Sequence, residues 1–123
     1  MNFKFINTGS TRIVFLIGNH AVKIPRFIKP DNSFYGKLLG FLWGWEANRT
    51  EYIWSKSNLY SFLNPVKLSL LFSLILIFDR TQELSENEFF NLNPEDYNFG
   101  SYEHKMDSFG KINSEIRIID YGN

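Results

Sequence analysis

Two residues, Gly18-Asn19, separate the runs Arg12 to Ile17 and His20 to Ile24. Both runs are rich in β-branched and apolar side chains. A two-residue link with glycine in it closes a tight turn between antiparallel strands, so a β-hairpin is predicted here. Pro25 has no amide proton to donate and ends the pairing. The pattern constrains the rest of the fold. A chain that commits to a hairpin this early must cover one face of it with later residues.

The helical candidate is Phe34 to Asn58, continuous or broken near Gly40 or Gly44. Leu38, Leu39, Leu42, Trp43, Trp45, Ala47, Tyr52, Ile53 and Trp54 give it a broad apolar surface. Each glycine inside a helix costs about 1 kcal/mol against alanine. Val66 to Phe72 and Leu74 to Phe78 read as two strands with almost no polar link; a single helix over the same residues is the alternative. A membrane-spanning helix needs about 20 apolar residues, and Val66 to Phe78 is shorter and carries Lys67. Glu83 to Phe90 fits a short helix capped by Ser85, with Glu86 and Glu88 in its first turn. The last strand falls within Ile112 to Ile119, with Asn113-Ser114 as a turn. The expected fold class is α+β, an antiparallel β-sheet packed against one main helix, in a single domain over residues 1–123.

Composition narrows the function classes. Thirteen Lys and Arg balance thirteen Asp and Glu, so the basic excess of a nucleic-acid binder is missing. No cysteine is present, which removes disulfides and thiolate metal sites and suits a reducing, cytoplasmic setting. The N-terminus lacks the apolar core of a signal peptide. His20 and His104 are too far apart in sequence to form a close-spaced zinc pair. Aromatic residues make up 18% of the chain, and at that level some rings are expected on the surface as contacts for a partner. The rings singled out are Phe41, Trp43, Trp45 and Trp54.

Two short motifs stand near opposite ends of the chain. Ala21-Val22-Lys23-Ile24-Pro25 puts a lysine in an apolar strand, and Asp120-Tyr121-Gly122 comes after the strand-like run Ile116 to Ile119. Together they resemble the protein-kinase-like fold, in a minimal form built around its small lobe. The resemblance implies that Lys23 would contact phosphate, with a helical carboxylate, Glu51 in preference to Glu46, holding its side chain. Asp120 would bind magnesium, and Gly122 would let that carboxylate turn inward. Gly9 and Ser10 stand where a glycine-rich loop would cover a nucleotide. ATP and Mg²⁺ are the implied cofactors.

Departures from the kinase pattern are large. Only Gly9 and Ser10 represent the glycine-rich loop, no His-Arg-Asp motif occurs, and Asp107 is the sole candidate for a catalytic base. About 40 residues separate Asp79 from Asp120, too few for a second core. The expectation is a degenerate, pseudokinase-like module that binds a nucleotide without protein-kinase turnover. The alternative is a small phage-type interaction protein that inhibits a host protein and has no catalytic activity. A toxin, or a toxin-neutralising partner, of kinase-like descent is a third reading. Neither nucleic acid nor membrane is an expected partner.

Overall fold

The computed structural model describes residues 3–6, 12–26, 34–57, 59–97 and 104–122. Gly9 and Ser10 lie outside them. Five strands form one antiparallel sheet in the order β1-β2-β3-β5-β4: β1 Phe3–Ile6, β2 Arg12–Ile17, β3 His20–Pro25, β4 Val66–Leu70 and β5 Ile75–Asp79. One long helix, α1 Phe34–Ser57, packs on this sheet, chiefly against β3. A short helix, α2 Glu86–Phe90, leads into a second sheet of two strands, β6 Phe109–Ile112 and β7 Glu115–Ile118. The fold class is the expected one, α+β with an antiparallel sheet against one main helix.

The hairpin forms as predicted. Gly18 turns with a φ of 56°, and the register pairs Val14 with Lys23 and Arg12 with Pro25. Strand side chains alternate between faces. Arg12, two residues from Val14, therefore shares a face with Lys23, and that face meets α1.

Helix α1 is continuous through Gly40 and Gly44. Its buried residues are Gly40, Gly44, Ala47, Asn48 and Glu51, a stripe at helical spacing made of small and polar side chains. Small residues bring the helix backbone close to the sheet. Of the large apolar residues read from the sequence as its packing surface, Leu38, Leu42, Trp43 and Ile53 are exposed, whereas Tyr52 and Trp54 pack against the core. Periodicity identified a helix but not its inner face, because polar groups on that inner face are satisfied by the sheet.

Strand β4 ends at Leu70, two residues short of the run read from the sequence. Residues 71–74 turn between β4 and β5, and Leu71, Phe72 and Ser73 all take positive φ (52°, 55° and 70°) without a glycine among them. Helix α2 has the complete capping box: Ser85 Oγ accepts from the Glu88 amide, and Glu88 accepts from the Ser85 amide at 2.9 Å. Glu88 also pairs with Lys111 at 2.7 Å, which ties α2 to β6.

One core serves both sheets. Leu63, Leu76, Phe78, Leu84, Phe109, Ile118 and Tyr121 form a single buried cluster. Gln82 and Lys111 exchange backbone hydrogen bonds of 2.9 Å in each direction, joining the β6–β7 hairpin to the segment after β5. No described helix is long and apolar enough to cross a membrane.

Candidate functional site

A buried group of charges lies between the sheet and α1. Lys23 Nζ donates to both oxygens of Glu51, at 2.9 and 3.2 Å, and to the Ile119 carbonyl at 2.5 Å. Glu51 has no solvent exposure and Lys23 only 7%. The lysine ammonium lies 4.7 Å from the centre of the Phe78 ring, a cation–π contact. Of the two glutamates considered, Glu51 meets Lys23 and Glu46 is exposed on the outer side of the helix.

Arg12 is the residue that sequence reasoning missed. Its guanidinium makes two contacts to Glu51, Nη1 to Oε1 at 2.8 Å and Nη2 to Oε2 at 3.0 Å. The same Nη2 reaches Asp120 Oδ1 at 2.7 Å. The signal was present in the hairpin register: once Gly18-Asn19 fixes the turn, Arg12 must share a face with Lys23. Planar, forked donors suit arginine to bridging two carboxylates in this way.

The tail that carries Asp120 is held at several points. Asn64 N donates to Ile118 O at 2.9 Å, Ile118 N to Phe62 O at 2.7 Å, and Ile119 N to Ser108 O at 2.8 Å. Tyr121 donates its amide to Glu51 at 3.0 Å and its hydroxyl to the Asn64 carbonyl at 2.6 Å. Burial pushes the Tyr121 phenol well above the usual tyrosine range. Gly122 is needed for closeness. A Cβ there would stand 2.5 Å from the Ala47 carbonyl oxygen, so the expected role of turning the carboxylate inward gives way to a steric one.

Asn48 completes the group. Its carboxamide accepts from Arg12 at 3.3 Å and donates to the carbonyls of Lys23 (3.3 Å) and Leu74 (3.2 Å). Two cations, Arg12 and Lys23, face two anions, Glu51 and Asp120. Burial alone would raise the Glu51 carboxyl, but the charges and hydrogen bonds of Arg12 and Lys23 override it and hold it at about 2. For Lys23, burial is the largest influence and pulls the amine below the ordinary lysine range, against the attraction of Glu51. Arg12 moves upward: burial opposes its charge, but Glu51 and Asp120 more than offset that cost.

The structure thus brings Lys23, Glu51 and Asp120 together. Asp107 does not join them. It is exposed, with Lys105 at 3.9 Å, because the short turn at Met106–Ser108 points it outward. His20 and His104 are both exposed; His104 stacks near Phe89 and Phe109, with centroid distances of 5.2 and 5.4 Å. Of the four rings expected on the surface, Trp43 is exposed, whereas Phe41, Trp45 and Trp54 are half-buried.

The arrangement does not suit a magnesium ion. Glu51 is committed to three donors, and a guanidinium 2.7 Å from Asp120 repels a second cation at that carboxylate. Among the described residues, no three His, Asp or Glu side chains are placed to hold a metal.

No family model, curated protein or solved structure matches this chain.

Proposed function

We propose that this chain is a degenerate kinase-like module that has no phosphoryl-transfer activity and works by binding a protein partner. The observation that carries the first half is Arg12. Its guanidinium already supplies the positive charge between Glu51 and Asp120. The group is charge-balanced without any ligand, and its lysine is directed at Glu51 and Ile119. A phosphotransfer centre has to keep its lysine and its metal-binding carboxylate available to the phosphates and the metal. Here the same residue types hold α1 and the Asp120 tail onto the sheet.

The second half rests on the outer side of α1 and the neighbouring turn. Phe34, Tyr35, Leu38, Leu42 and Trp43 are exposed on the N-terminal half of the helix. Phe72, at 89% exposure, and Leu71 project from the β4–β5 turn. Trp45 Nε1 donates to the Phe72 carbonyl at 2.7 Å, so turn and helix stand side by side. Apolar surface gathered in this way is typical of an interaction site. Phe72 is held there at a positive φ, which costs about 1–2 kcal/mol for an L-residue.

The test is site-specific photocrosslinking in the cell, with the probe at Phe72, at Leu42 and, as control, at Glu95. A discrete adduct common to Phe72 and Leu42 but missing at Glu95 is expected. Equal diffuse labelling at all three would refute a docking face.

A second reading, nucleotide binding without turnover, is favoured by one observation. The Asp120 side chain is 35% exposed, so the group has an open edge beside Lys23. ATP contacting that edge would have to displace Arg12 from Asp120.

A further inference from the structure

The two faces of the large sheet are unlike, and β5 shows it. Leu76 and Phe78 are buried in the core, on the side of Lys23 and α1, whereas Ile75 and Ile77 on the other side are only half-buried. The strand register carries this second face across the sheet. Phe5, Phe15, Val22, Ile77 and Leu68 stand in one row over all five strands. The pairs Ile13–Ile24 and Ile75–Leu70 make a second row. The rings of Phe5 and Phe3 lie 5.1 and 6.2 Å from that of Phe15 between centroids, so both aromatic residues of β1 belong to this face.

None of these side chains is buried, and Phe3, Phe5, Leu68 and Leu70 at the two edges are exposed. Neither row contains a charge. At one end of the sheet, Lys67 and Asp79 pair with each other at 3.3 Å. An antiparallel sheet with one solvated face ordinarily carries polar residues on it. This face is apolar on both sides of the pleat's middle line, and a continuous apolar surface of this kind marks a contact. It lies across the sheet from α1, separate from the docking face on the outer side of that helix.

Three observations identify the occupant. The first concerns the chain's own remaining residues. Outside the described residues its large apolar side chains are Met1, Phe27, Ile28, Phe99 and Tyr102, too few for a second layer. The second is charge. Thirteen basic residues balance thirteen acidic ones, so two copies do not repel each other. The third is size. Five strands about 4.8 Å apart, each about five residues long, make a face of roughly 24 by 17 Å. With side chains standing off it, such a face offers on the order of 600 Å² to a partner, the lower end of what a stable dimer buries on each side. Its cover must be equally flat, apolar and uncharged, and the face itself has those properties.

We propose that this face packs on the same face of a second copy, giving a two-fold symmetric dimer of stacked sheets. Two-fold pairing matches a patch to itself. Sheets packed in this way lie about 10 Å apart with their apolar side chains interdigitated.

The experiment is sedimentation velocity of the full chain over a concentration series, joined to isotope-filtered NMR on mixed labelled and unlabelled chains. The mass should rise with concentration towards twice the 14.5 kDa of one chain. Intermolecular methyl contacts should appear at Val22, Ile24, Ile75 and Ile77. Phe5→Glu and Leu68→Glu, both at exposed positions, should each weaken dimerisation by about tenfold or more, because symmetry puts each new charge into the apolar interface twice. Leu42→Glu, on the outer side of α1, should leave it unchanged. The NMR arm uses the parent chain and decides the matter if a variant does not fold. A monomeric mass at every concentration would overturn the proposal. So would a dimer that survives both glutamate variants, or intermolecular contacts confined to α1 and the β4–β5 turn. A monomer that cosediments with phosphatidylcholine vesicles would give the face to a lipid surface and overturn the dimer.

Discussion

Glu51 accepts from Arg12, Lys23 and the Tyr121 amide at once. Removing one member of a buried ion pair leaves the others uncompensated, at about 3–5 kcal/mol. Glu51→Gln should therefore lower stability to urea by about that amount, whereas Glu46→Gln, on the exposed face, should change it by less than about 0.5 kcal/mol. The pH dependence has its origin in the same carboxylate. Its folded value of about 2 lies below its ordinary 4.5. Its contribution is present above the ordinary value and is lost as pH falls from 4.5 towards 2. The difference corresponds to about 3 kcal/mol. A urea-stability profile across that range should be distinctly flatter for Glu51→Gln than for the parent. Sequence reading reached Lys23, Glu51 and Asp120 because each has a local signature, in a strand, on a helix or after a strand. Arg12 has none; only strand register reveals its position. Gly122 was noticed for the wrong reason, because its neighbour Ala47 is 75 positions away in the chain.

At the scale of elements, the hairpin and the α2 cap were legible because turn and cap chemistry act over two to four residues. The orientation of α1 was not. Its inner stripe of Gly40, Gly44, Ala47, Asn48 and Glu51 looks like an outer face until Lys23 and Arg12 are opposite it. The β4–β5 turn was also unreadable, since Leu71-Phe72-Ser73 lacks the residues that ordinarily accept a positive φ. That mismatch leads to a paired outcome. Phe72→Asn should raise stability in urea by about 0.5–1 kcal/mol, because asparagine tolerates the left-handed region better. The same change should reduce the crosslinked adduct obtained from the Leu42 probe. A destabilised variant, or one with undiminished adduct, would separate the turn from the docking face. Gly122→Ala has the opposite character. Its new methyl meets the Ala47 carbonyl, and a loss of about 1–3 kcal/mol is expected from overpacking.

Over the whole molecule, the charge group couples four distant parts of the chain: β2, β3, α1 and the segment after β7. The fold class was legible in the alternation of strands with one long helix. The path of the tail past residues 62–64, which delivers Asp120 to the group, had no local pattern to announce it. On the proposed reading, Arg12, Lys23, Glu51 and Asp120 act together as an internal brace that needs no nucleotide. Thermal unfolding with increasing ATP, in the presence and absence of Mg²⁺, puts that role to the proof. The parent chain should show no concentration-dependent rise in Tm. A rise that grows with ATP and disappears in Lys23→Met would contradict the brace and put a nucleotide at the open edge of Asp120.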